Sequence, residues 1–137
     1  MWRLFAILSA VFAALTAIFA KLGMKSMDSD LATAIRTIII LMLAWGIVLA
    51  KGTAGSIVAL TRQNWIFLVL SGLATGGSWI FYFKAMQAGK VSQVAPVDKS
   101  SLALTLLLSA VILGEAITWK VALGAALILG GTLVIIL

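Results

Sequence analysis

Hydrophobic residues in this chain run in five long blocks separated by short polar stretches. The first runs from Leu4 to Ala20 between Arg3 and Lys21, and the second from Leu31 to Ala50 with Arg36 inside it. The third spans Asn64 to about Met86. The fourth, Val94 to Leu113, contains Pro96, Asp98 and Lys99, and the fifth runs from Ile117 to the end of the chain. These blocks show neither the alternation of a half-buried strand nor the narrow stripe of a soluble amphipathic helix. A hydrocarbon core about 30 Å thick is crossed by about 20 apolar residues in helix. The pattern therefore predicts an all-α integral membrane protein, one domain over residues 1–137, with transmembrane helices at about 3–22, 31–50, 64–87, 94–113 and 117–136. Between them, Gly23 to Asp30 offers Asp28 or Asp30 as a helix cap. Lys51 to Gln63, Ala88 to Gln93 and Gly114 to Ala116 supply the other connections. A secretory signal peptide is the alternative for the first block, but its apolar run is long for that role and four more blocks follow.

Composition supports the membrane assignment and removes other classes. Of 137 residues, 64% are hydrophobic and 10% charged, with a mean hydropathy of +1.22; a soluble domain of this size needs more polar surface. The net charge of +6 could suit a nucleic-acid partner. The ten basic residues are scattered singly at the edges of apolar blocks or inside them, so no basic patch exists to meet a phosphate backbone. With no Cys and no His, disulfides, thiolate nucleophiles and His- or Cys-based metal sites are excluded, and no cofactor is expected. No glycine-rich phosphate loop, nucleophile–base set or pair of catalytic carboxylates is present. Transport or assembly is thus the expectation, and enzymatic catalysis is not.

Five crossings place the chain ends on opposite sides of the membrane. The side of the N-terminus receives Arg3, Lys51, Arg62 and Lys120, and the opposite side Lys21, Lys25, Lys84 and Lys90. Orientation follows the side richer in Lys and Arg. With Arg36 and Lys99 left out as lying inside the apolar blocks, four basic residues on each side specify no orientation. Either a charge is assigned to the wrong side by a residue or two, or the chain inserts in both directions, which is the reading favoured.

Charges within the bilayer cost several kcal/mol and commonly mark function. Arg36, Asp98 and Lys99 fall at a similar depth near the side opposite the N-terminus, where an Arg36–Asp98 pair would make both charges tolerable. Arg36 and Lys99 could instead snorkel to the surface, with Asp98 capping a shortened fourth helix after Pro96. From Asp98, helical spacing puts Ser101, Thr105 and Ser109 on one face, and the third segment carries Ser71, Thr75, Ser78 and Tyr82 with Trp79 beside them. Two such stripes would line a shared polar cavity; the alternative is that the hydroxyls bond their own backbone or join helices. Trp2, Trp45, Trp65 and Trp119 have the placement of interfacial anchors, whereas Trp79 lies at the depth of the charges. Gly72 and Gly76, Ala126 and Gly130, and Gly124 and Gly131 have spacings that suit close helix contacts. Glu115, before the fifth segment, would complement that helix's dipole.

The run Val94-Ala-Pro-Val-Asp-Lys-Ser-Ser, continuing through apolar residues to Leu113-Gly-Glu115, resembles the end of an EamA-type domain of the drug/metabolite transporter superfamily. Gly124 with the Gly130-Gly131 pair, Ala34-Ile-Arg36, and Gly76-Gly77-Ser-Trp79 with Tyr82 fit the same pattern, so the resemblance covers essentially the whole chain. It is closest in kind to the five-helix, half-size bacterial and archaeal group; larger members are similar to two such units in tandem with inverted halves. The resemblance implies an antiparallel homodimer that restores ten helices in the cell membrane, and export or exchange of a small metabolite without fixing which one.

The expectation is a multi-pass secondary transporter working by alternating access, with lipid, substrate and a second copy of the chain as partners. Arg36, Asp98 and Lys99 would gate it. Trp79, Tyr82, Ser78, Thr75, Ser101 and Thr105 would line the substrate path, and Gly124, Gly130 and Gly131 would meet the second copy. Helix 1 lacks the acidic residue that small multidrug exporters use, and the basic and aromatic groups favour a neutral, zwitterionic or anionic metabolite. Two rivals are a partner-dependent structural subunit and a subunit of a lipid-linked carrier flippase.

Overall fold

The computed structural model describes residues 1–137 and is helical throughout its ordered elements. It forms two compact units, Met1–Gln87 and Ala88–Leu137. The first contains α1 (Trp2–Gly23), α2 (Ser29–Ala50), a 3₁₀ turn at Ala54–Ala59, and α3 (Arg62–Ala88), which ends on the boundary. The second contains α4 (Val91–Lys99), α5 (Ser101–Ile112) and α6 (Trp119–Ile136). Five stretches are long and apolar enough to cross a membrane, α4 and α5 together supplying the fourth over Val91–Ile112.

Local chemistry sets the boundaries. Asp28 has extended backbone, and its carboxylate accepts the N–H groups of Asp30 at 2.9 Å and Leu31 at 3.1 Å, so α2 begins at Ser29. Its other end is a Schellman closure. Gly52, at φ +68°, donates to Leu49 and Thr53 donates to Val48, a geometry that glycine adopts without Cβ strain. The Thr61 hydroxyl accepts the Asn64 N–H at 3.2 Å and opens α3; Thr118 does the same for Val121 at 3.4 Å and opens α6. Helix α3 has 27 residues. At 1.5 Å per residue it is about 40 Å long, more than the hydrocarbon core requires, so it tilts or projects into the headgroups.

Within the first unit, burial is concentrated at one end. Ala17, Ala20 and Met24 at the end of α1, Ser29, Ala32 and Thr33 at the start of α2, and Phe83 and Met86 near the end of α3 make up its core. Polar contacts fasten the same end. Lys21 Nζ donates to the Met86 carbonyl at 2.6 Å, Gln87 Nε2 donates to the Met27 carbonyl at 2.7 Å, and Lys84 pairs with Asp30 at 3.0 Å. Toward their other ends all three helices expose apolar side chains such as Phe5, Met42 and Phe67. In a bilayer those faces meet lipid tails or another protein, since exposing them to water would be costly.

Three expectations change. The fourth segment begins at Val91 and breaks at Ser100, so Asp98 lies inside a helix and not at its cap. Proline at position 96 removes one ladder donor. Beyond it Ser100 N–H bonds Val97, in 3₁₀ fashion, and not the Pro96 carbonyl, which lies 3.3 Å from Thr132 Oγ1 of α6. Glu115 lies in the turn after α5, its N–H bonded to Ser109, and α6 starts only at Trp119. It therefore lies outside the first turn, where a helix dipole is felt. Finally, a Cβ added at Gly72, Gly76, Gly124, Gly130 or Gly131 would meet no atom within 4 Å, so none of these glycines marks a close helix contact within the chain.

Candidate functional site

Arg36 lies seven residues into α2, about 10 Å along the helix axis from Ser29. Its guanidinium carbon stands 4.1 Å from the Phe83 ring centroid and 5.8 Å from that of Trp79, both on α3. Phe83 is held edge-on by Tyr82, with centroids 5.2 Å apart and planes at 70°. Helical spacing explains the cluster: Trp79 and Phe83 are four residues apart, hence on one face of α3. Tyr82 thus supports the ring under Arg36.

The acidic residues of this unit are occupied elsewhere. Asp28 caps α2, and Asp30 pairs with Lys84. Arg36 Nη1 is buried and has no hydrogen-bond partner. A cation–π contact contributes about 0.5–2 kcal/mol. Arg36 as a whole is only partly buried, but the unmet donors on its buried Nη1 cost about 1–3 kcal/mol. The rings orient the guanidinium and leave those donors suited to a counter-anion.

Two concavities open in this unit. One, of about 340 Å³, lies between the end of α1, the following turn and the start of α2; Thr16, Phe19, Gly23, Met27, Ile35 and Arg36 are among its walls. The other, of about 660 Å³, is a groove between α2 and α3 that includes Thr33, Thr37, Ser71, Thr75 and Trp79. Of the third-segment stripe, Ser71, Thr75 and Trp79 reach this groove, while Ser78 and Tyr82 are not among its walls. The threonines Thr33 and Thr37 of α2 gave no separate sequence signal, although their four-residue spacing puts them on one helix face.

The hydroxyls largely follow the local alternative. Thr33 donates to the Ser29 carbonyl, Thr37 to Thr33, Thr75 to Ser71, and Thr105 to Ser101, at 2.8–3.0 Å, and Ser109 donates to Leu106 at 3.0 Å. Each proton is thereby used, and the groove presents hydroxyl oxygens as acceptors.

In the second unit, Asp98 and Lys99 form an ion pair at 3.2 Å on the last turn of α4. Ser100 follows, its hydroxyl donating to Val97 at 2.6 Å. Ser101 and Thr105 continue on α5. A charged pair next to a break in a membrane span is a place where backbone and side-chain polarity coincide, as in the discontinuous helices of transporters.

No solved structure matches the chain. A Sinorhizobium protein described as an uncharacterized transporter in the cobO 3′ region is 44% identical over 134 residues, covering 98% of this chain and 95% of the relative. The model of the EamA-like transporter family matches residues 1–137. Five apolar spans and a full-length family match lead to one conclusion: this chain is a multi-pass membrane protein that belongs to the EamA-like transporter family.

Proposed function

We propose that the protein is a secondary transporter of a small metabolite in the cell membrane, working by alternating access as an antiparallel homodimer. The observation that carries this reading is the whole-chain family match on a chain with only five spans and four flanking basic residues on each side. An inverted repeat around a midplane site is a general transporter plan, and a chain inserted in both directions builds it from two copies. Supporting features are the largely apolar groove between α2 and α3, with hydroxyls at Thr33, Thr37, Ser71 and Thr75, and the Asp98–Lys99 pair beside the α4–α5 break. In this scheme the substrate-path residues of the first unit are Thr75 and Trp79 in the groove and Ser78 outside its walls, and those of the second unit, taken by itself, are Ser101 and Thr105 on α5. Asp98 and Lys99 act as gate charges, and Arg36, backed by Phe83 and Tyr82, acts as the binding charge. The glycines Gly124, Gly130 and Gly131, open within the chain, form the contact between copies.

The test is flux by the purified protein alone. Proteoliposomes loaded with an isotope-labelled bacterial metabolite extract are expected to release a saturable subset of compounds faster than protein-free vesicles. Release equal to that of empty vesicles would overturn the transporter reading and favour a structural subunit.

A further inference from the structure

We infer that Arg36 and the cavity between α1 and α2 form a binding site for an amphipathic monoanion, a carboxylate or phosphodiester carried on a small apolar body. The inference deepens the transporter reading and rests on it for the site's role in the cell. Three observations converge on it. Arg36 is the one charged residue in the wall of the 340 Å³ cavity, whose other side chains are apolar apart from Thr16. Its Nη1 is buried with unused donors, and the nearest acidic side chains of its own unit are held by the α2 cap and by Lys84. Phe83 and Trp79 pack against the guanidinium and fix its plane, which favours the two-pronged grip that a carboxylate or phosphate accepts and an ammonium does not offer.

The walls set the rest of the ligand. A volume near the lower end of the roughly 300–1,000 Å³ typical of small-molecule sites admits a single ring or a short chain. One cation answers one negative charge, so a second anionic group would face Phe19, Met27 and Ile35 without a partner. Amines are disfavoured by like charge. The same chemistry fits a soluble metabolite and the headgroup phosphate of an anionic lipid, because both bring an anion to the end of an apolar body.

The test uses the full-length protein in phosphatidylcholine nanodiscs, with 3-phenylpropionate as probe and 3-phenylpropionamide and 3-phenylpropylamine as neutral and cationic counterparts. Binding is read by calorimetry against empty nanodiscs. The acid is expected to bind best and the amine worst. Arg36→Gln is expected to weaken the acid about tenfold or more while leaving the amide unchanged, as loss of a charge-assisted contact requires. Arg36→Lys should restore part of the acid's affinity. A second variant, Gly23→Leu, puts a side chain into the cavity at a position where a Cβ meets nothing, and should weaken acid and amide alike. Adding phosphatidylglycerol distinguishes the sources: competition with the acid that vanishes in Arg36→Gln identifies the lipid phosphate as an occupant of the same site. Equal binding of acid and amine, or an acid affinity indifferent to both variants, overturns the inference. Arg36-dependent acid binding without flux in proteoliposomes keeps this site and removes the transporter reading; flux with no such binding does the reverse.

Discussion

Side chains of this protein divide into those whose energetics come from packing and those whose charge has a use. Phe83 is 1% exposed and lies under Arg36. Phe83→Ala leaves a void and removes a cation–π partner. Cavity costs in soluble cores reach about 3–5 kcal/mol for Phe→Ala, and lipid tails remove part of the transfer term. A loss of about 2 kcal/mol in detergent unfolding is therefore expected, and Phe83→Leu should lose less. The Lys84–Asp30 pair gives a contrast, since both side chains are about half exposed, at 51% and 53%. Lys84→Ala should cost less than about 1 kcal/mol in the same measurement. Arg36 and Asp98 stood out in the sequence because a charge in an apolar run is conspicuous. The aromatic neighbours of Arg36 did not, because Phe83 is a hydrophobic residue in a hydrophobic block and only the crossing of α2 and α3 singles it out.

Helix positions were readable from hydropathy, and helix ends less so. The 20-residue blocks predicted all five crossings, but capping moved the starts: Asp28 starts α2 two residues early, Thr61 starts α3 at Arg62, and Thr118 holds α6 back to Trp119. The division of the fourth crossing at Ser100 was not legible. It depends on the Pro96 carbonyl leaving the ladder and meeting Thr132, a residue 36 positions away. Thr132 Oγ1 also lies 2.9 Å from the Ile128 carbonyl, so its one proton is divided between two acceptors. Thr132→Val should cost about 1 kcal/mol, one net hydrogen bond. Pro96→Ala restores a ladder donor and should stabilise the helix by up to about 3 kcal/mol. If the break is a hinge of the transport cycle, turnover in proteoliposomes falls in Thr132→Val, which releases the Pro96 carbonyl to rejoin the ladder; unchanged turnover would show that the break is structural only.

At the scale of the molecule, the apolar surface outside the buried end of the first unit and the open glycines of the second are what lipid or a second copy must cover. Gly130→Leu distinguishes these roles. Within one chain a Cβ at position 130 meets nothing within 4 Å, and leucine is the better helix former by about 1 kcal/mol. The fold should therefore be unharmed, while a close approach between two copies would be blocked. A fall in dimer fraction by single-molecule photobleaching in bilayers is expected, with helicity by circular dichroism unchanged.

Insertion in both directions is the claim on which the antiparallel pair depends, and the absence of cysteine makes its measurement direct. Ser92, exposed in the first turn of α4, is replaced by Cys as the sole thiol, and intact cells are labelled from each face with an impermeant reagent. Labelling of about half the molecules from each face follows from the level charge count. Labelling from one face alone would contradict the self-sufficient inverted pair and require a different partner to complete the transporter.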